Sequence, residues 1–205
     1  MKSRFLIPVA FAGLLTACAS TTPTYYTLQA SNAAPAAAAP STQVWKGFQL
    51  RRMDVPAQLD RRSFVLTQTA AGGQVNLLND SQWASPLPDE MSLALASGLQ
   101  DRLGVPQLAS AAAKTPLWQI DVLVQRFESV YGERATLELS WTLMPLGFEG
   151  KTQQCRWLDT EPASSVPELV QAHRQLQQRW ADALAAQMQG KPVPVNLNKA
   201  MLCVS

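Results

Sequence analysis

Apolar and polar residues change their spacing along this chain, and the change separates strands from helices. Val44 to Arg52 and Ser63 to Gln68 carry aromatic or β-branched residues, and Gly72-Gly73 turns the chain into Val75 to Leu78. With Tyr25-Tyr26-Thr27-Leu28 upstream, three or four strands are expected before any helix. From Met91 the interval becomes four residues, so that Met91, Leu95, Leu99 and Leu103 stripe one side of a helix. Pro86 and Pro88 stand at its start, Asp89 and Glu90 fill the first turn where the helix dipole favours acids, and Gly104 with Pro106 ends it.

The pattern then returns to a period of two. Leu117 to Phe127 places Trp118, Ile120, Val122 and Val124 on one face and Leu117, Leu123 and Phe127 on the other, as in a central strand covered on both sides. After a turn at Tyr131-Gly132, Ala135, Leu137, Leu139, Trp141 and Leu143 alternate with Thr136, Glu138, Ser140 and Thr142, which predicts a strand with one wet face. Gly147 to Gly150 leads into a third strand over roughly 152–158, with Cys155 and Trp157 on one side, completing an antiparallel meander. A second helix opens at Ser165 with Glu168 three residues on, a capping box, and closes at Gly190. Leu169, His173, Leu176, Trp180, Leu184 and Met188 form its apolar stripe. The fold class is α/β or α+β: a single domain with a mixed β-sheet and two main helices packed on it. Periodicity does not order the strands.

The first residues follow a different logic. Lys2 and Arg4 precede an apolar run from Phe5 to Leu15, too short for the about 20 residues a membrane-spanning helix needs, so residues 1–17 read as a signal peptide. Leu15-Thr16-Ala17-Cys18 looks like a lipobox, which makes Cys18 the lipid attachment site and new amino terminus; the competing reading is an ordinary secretory cut at Ala17 to Ala19. Removal of the signal leaves fifteen basic against fifteen acidic residues, and the formal charge falls from +2 to zero. Electrostatic capture of nucleic acid therefore has no compositional support. Residues 18–24 form a short spacer and 25–205 the domain, with an Ala/Pro-rich exposed loop at 30–42.

Candidate chemistry is sparse. With Cys18 lipidated, Cys155 and Cys203 remain in an oxidising compartment, where either a bridge at about 5.5 Å Cα separation or two unpaired thiols is compatible with the sequence. The one histidine, His173, sits in a helical apolar stripe, where a core residue satisfied by one hydrogen bond is expected. No nucleophile elbow, Walker loop, HExxH pair or CxxC occurs, so no catalytic or metal residue and no cofactor is expected beyond the acyl groups on Cys18. Of six tryptophans, Trp118, Trp141 and Trp180 fall in register with apolar faces, whereas Trp83 lies in a loop just before a helix and is the least explained.

Taken together, several short segments resemble the PqiC-type ABC transport auxiliary lipoproteins. They are the lipobox at Cys18, Tyr25-Tyr26-Thr27-Leu28, Val55-Pro56 with Leu59-Asp60-Arg61, Trp83-Ala84-Ser85-Pro86-Leu87, Gln125-Arg126-Phe127 and Leu139-Ser140-Trp141. The resemblance departs at Ser85, where the family more often carries an acid. It implies a periplasmic α/β domain similar to the amino-terminal domain of TolB, carried by diacylglycerol and an N-acyl chain on Cys18 at the periplasmic face of the outer membrane. Such a subunit is non-enzymatic, docks a periplasmic MCE-domain transport protein, and is compatible with a homo-oligomeric ring. Asp60, Arg61, Trp83 and Pro86 then serve either as partner contacts or as structure: an Asp/Arg pair holding a turn, and a Trp-Pro corner setting up the helix. An alternative function, a stand-alone periplasmic lipid-binding lipoprotein, follows from the apolar residues on both faces of Leu117 to Phe127.

Overall fold

The strand expected at Leu117 is the spine of the molecule. The structure, a computed structural model, describes residues 22–29, 43–69, 73–108, 115–193 and 201–204. The signal segment, Cys18 and the Ala/Pro stretch at 30–42 lie outside the described residues. In chain order the elements are β1 Thr24–Tyr26, β2 Phe48–Asp54, β3 Ser63–Thr67, β4 Val75–Trp83, α1 Leu87–Leu103, β5 Leu117–Val130, β6 Arg134–Leu146, β7 Gln153–Pro162, α2 Val166–Met188 and β8 Met201–Val204. Four strands precede the first helix, as the pattern predicts.

All eight strands join one open mixed sheet in the order β1-β4-β3-β5-β6-β7-β8, with β2 beside β5. One margin of β5 is shared. Its first half pairs in parallel with β2, from Phe48 opposite Trp118 to Asp54 opposite Leu123, and its last residue Val130 pairs with Thr67 of β3. The other margin carries β6 along its whole length, and β6, β7 and β8 continue antiparallel. Both helices lie on one face: α2 packs on β6 and β7, and α1 packs on α2 and β2. The opposite face carries no helix among the described residues.

The core explains this layering. Ala135, Leu137, Leu139, Trp141 and Leu143 are all buried on the helix side of β6, where Trp141 meets Trp180 of α2 at 6.3 Å between ring centres. The stripe from Leu169 to Met188, His173 included, is buried on the facing side of α2. Buried side chains of this size contribute about 1.5–3 kcal/mol each, which fixes the helices to this face.

Two expectations about faces are corrected. A β-bulge between Val124 and Arg126 inserts one residue, so Val124 opposes Leu139 and Phe127 opposes Leu137, both on the helix side. Phe127 therefore joins Trp118, Ile120, Val122 and Val124 rather than Leu123, which is 50% exposed on the open face. Of the residues expected on the second face of β5, Leu117 is buried there, but Leu123 is open, so that face is not covered along its length. Conversely, the polar face of β6 is not wet throughout, because Thr136 and Glu138 are buried on it.

Helix ends follow local chemistry. In α1 the carbonyl of Pro86 accepts from the N–H groups of Asp89 and Glu90 at 3.0 and 3.1 Å, and Gly104 closes the helix with φ 64°. In α2 the Ser165 hydroxyl accepts from the Glu168 N–H, while the Glu168 carboxylate reaches back to the Ser164 N–H at 2.7 Å, one residue before the cap. Strand β8, which the pattern does not announce, adds to β7 with Cys203 directly opposite Cys155.

Candidate functional site

Segments far apart in the chain meet at one junction where β1, β4 and the start of α1 converge. Strand β1 pairs in parallel with the end of β4, Thr24 opposite Ser81 and Tyr26 opposite Trp83, and the Ala84 N–H donates to the Tyr26 carbonyl at 2.7 Å. The turn Pro56–Arg61 closes on its own backbone, with the Leu59 N–H on the Pro56 carbonyl at 2.8 Å, and inserts Leu59 into the core. From that turn the Arg61 carbonyl accepts from Leu87 N–H at 3.3 Å, and the Arg62 carbonyl accepts from Trp83 N–H at 2.7 Å.

Trp83 is therefore not a loop residue. It ends β4, is 3% exposed, and lies 5.0 Å from Phe64 and 6.0 Å from Phe127, ring centre to ring centre. Leu59, Trp83, Leu87 and Phe127 line a cavity of about 10 Å3, room for at most one water. Asp60 and Arg61 are exposed, and no ion pair joins them among the described residues. The turn is held by Leu59 and the backbone, not by an Asp/Arg pair. Pro86 stands at the N-cap of α1, as a Trp-Pro corner requires.

Glu90 is the residue that sequence reasoning undervalued at this junction. It is 2% exposed, and its carboxylate accepts from Thr27 Oγ1 at 2.7 Å, the Leu28 N–H at 2.9 Å, the Ser85 N–H at 3.1 Å and Ser85 Oγ at 2.7 Å. Helix polarity alone does not account for it. One carboxylate ties the residues leaving β1 to the corner that starts α1. The legible signal is the hydroxyl at Ser85, five residues before the acid.

His173 lies next to the junction. Its ring stacks on Phe127 at 3.7 Å, its Nε2 meets Ser129 Oγ at 2.8 Å, and burial pushes its pKa down to about 3. Among the described residues its Nδ1 has no partner, so none of them completes an acid relay behind the Ser129–His173 pair. On the open face of the sheet, Glu138 is held between Arg126 of β5 at 2.9 Å and Arg156 of β7. The Arg156 hydrogen bonds hold the Glu138 carboxyl below its ordinary value, burial opposes them, and Arg126 adds to the lowering. An acid in mid-strand, with an arginine on each flanking strand, is the pattern that identifies this site.

The remaining features are structural. The Sγ atoms of Cys155 and Cys203 are bonded across β7 and β8, with Cα atoms 4.1 Å apart, and Gln187 Nε2 of α2 approaches both sulfurs. A groove of about 200 Å3 between the helices has a mixed lining, with Leu28, Ala94 and Ala181 beside Asp101, Arg102 and Gln177. Among the described residues no three His, Cys, Asp or Glu side chains come together as metal ligands would, and no helix is long and apolar enough to cross a membrane.

An open mixed sheet with both helices on one face and β1 at one margin defines an α/β domain, with Trp83 and Glu90 built into its interior. The chain belongs to the family of ABC-type transport auxiliary lipoprotein components, whose model matches residues 26–185. It is thus a transport-associated lipoprotein component. Two crystal structures share its fold at 17% identity: an uncharacterized protein, with a TM-score of 0.62 over 82% of this chain and 99% of that one, and a Xanthomonas campestris protein of the DUF330 family, with 0.60 over 82% and 96%. No curated protein matches the chain in sequence.

Proposed function

We propose that the protein is a non-enzymatic lipoprotein subunit of an MCE/ABC-type envelope lipid-transport system. Lipid on Cys18 holds it at the periplasmic face of the outer membrane, where it docks the periplasmic MCE-domain protein, alone or as a ring of copies. The observation that carries this reading is the family match over residues 26–185. Two features of the fold support it. Three of the family segments, Tyr25–Leu28, Leu59–Arg61 and Trp83–Leu87, help build the β1–β4–α1 junction, and the cavity at that junction holds no more than a water, leaving no room there for substrate.

Affinity capture of the full-length protein from membranes in mild detergent is expected to bring down an MCE-domain protein. Recovery of the lipoprotein alone, under conditions that keep such assemblies whole, sinks the docking role.

A further inference from the structure

We infer that the domain stands end-on at the lipid surface, on the end of the sheet where β3 ends, β4 begins and β5 turns into β6. The inference rests on the lipid anchor at Cys18 proposed above and adds which surface meets the bilayer.

That end is defined by one row of the sheet. Thr67 pairs with both Val75 and Val130, Val130 pairs with Arg134, and Arg134 pairs with Pro162. Because β1 runs parallel to β4, the residues before Thr24 point toward Val75, which begins β4 in that row. Thr24 lies beside Ser81, next to Gln82, which pairs with Ser63; Thr67 is four residue steps from Ser63 along β3, roughly 13 Å. The opposite end, where Leu117 pairs with Leu146, is thirteen residues from Val130 along β5, roughly 43 Å. Thr24 is therefore about 30 Å from it.

The chain from Cys18 to Thr24 spans six residue steps and reaches at most about 20 Å. It reaches the Thr67 row with a few ångströms to spare and cannot reach the other end. The chemistry of the near end fits a lipid surface. Tyr131, 57% exposed, tips the β5–β6 turn, and Val75 and Leu77, 55% and 46% exposed, lie on the first residues of β4. Tyrosine favours the headgroup level, and small apolar side chains there bury area in the boundary. Neither β3 nor β4 carries a charged side chain before Asp80, and Glu133 and Arg134 beside Tyr131 pair with each other at 3.1 Å. No unpaired charge at this turn opposes contact.

The test places the photo-crosslinking residue p-benzoylphenylalanine at position 75, 131 or 149, one at a time, in full-length protein purified from its own membranes. The protein is then reconstituted in vesicles of phosphatidylethanolamine and phosphatidylglycerol. Intact mass is read first: a mass without acyl chains overturns the anchor reading, and this inference with it. With acyl chains present, lipid adducts at 75 and 131 and none at 149, in the turn at the far end, are expected. Adducts at 149 overturn the end-on placement, as does lipid at 75 without lipid at 131, which means an edge-on sheet. Adducts between two protein chains at 75, with no lipid adducts, make this surface a contact between copies instead.

Discussion

At the residue scale, the chemistry lies in buried polar groups held for structure. His173 is neutral because burial strips the imidazolium of water, and its folded pKa of about 3 lies below the ordinary 6.5. The unfolded chain therefore takes up a proton first as pH falls, and stability declines from about pH 6.5 downward by about 1.4 kcal/mol per unit until the folded value is reached. We expect the urea midpoint of the acyl-free domain to drop between about pH 7.5 and 5 by the equivalent of about 2 kcal/mol, and His173→Gln to flatten that slope. Equal slopes in the two proteins would rule out the imidazole as the cause. Glu138 acts in a lower window: with its folded pKa lowered, its stabilisation is full above the ordinary carboxylate value of about 4.3 and is lost as pH falls through the folded value. Periodicity alone places His173 correctly, because a histidine within an apolar stripe has nowhere else to go. It does not identify Glu90, since an acid in a first helical turn already has a sufficient local explanation. Glu90→Ala leaves several donors, among them the buried Leu28 N–H, without their acceptor, and should cost about 2–4 kcal/mol in thermal or urea unfolding, whereas a loss below about 0.5 kcal/mol would mean that water replaces the carboxylate.

Elements are legible in proportion to their length and regularity. Both helices and the β5–β6–β7 meander follow directly from long runs of one period. What the sequence hides is what breaks or shortens a period. The bulge after Val124 moves Phe127 across the sheet, the polar stretch Asn79-Asp80-Ser81-Gln82 conceals the second half of β4 and with it the place of Trp83, and β8 is four residues long. Strand β8 is held by pairing and by the Cys155–Cys203 bond, with the two Cα atoms at 4.1 Å, close to the spacing of a non-hydrogen-bonded antiparallel pair. The cysteines are 48 residues apart in the chain, a loop whose closure constrains the unfolded state by about 4 kcal/mol. Replacing both with serine should lower stability by about 2–4 kcal/mol in urea unfolding, and a peptide map of the oxidised protein should recover 155 and 203 as one linked fragment. Free thiols in protein taken from the periplasm would contradict the bridge.

For the whole molecule, periodicity points to the fold class but not to the strand order, because pairing between distant strands leaves no mark in local spacing. The sheet order places β1 at one margin, parallel to β4, and that direction is what the proposed anchor would use to select one end of the domain. Cys18→Ala is expected to abolish acylation, seen by mass, and to remove the protein from the outer-membrane fraction while leaving the fold unchanged by circular dichroism. The three-residue strand β1 then takes on a second meaning. A pull on the lipid, whether from the bilayer or from an assembly hauling on the domain, enters along the axis of β1, and the β1–β4 hydrogen bonds lie across that axis. They bear such a force together, in shear, rather than being peeled one by one. Just beyond them Glu90 grips Thr27 and Leu28 and passes the remainder into α1. With the proposed anchor on Cys18, the junction would be a mechanical coupling, letting a domain on a short leash resist being drawn out strand by strand from that end.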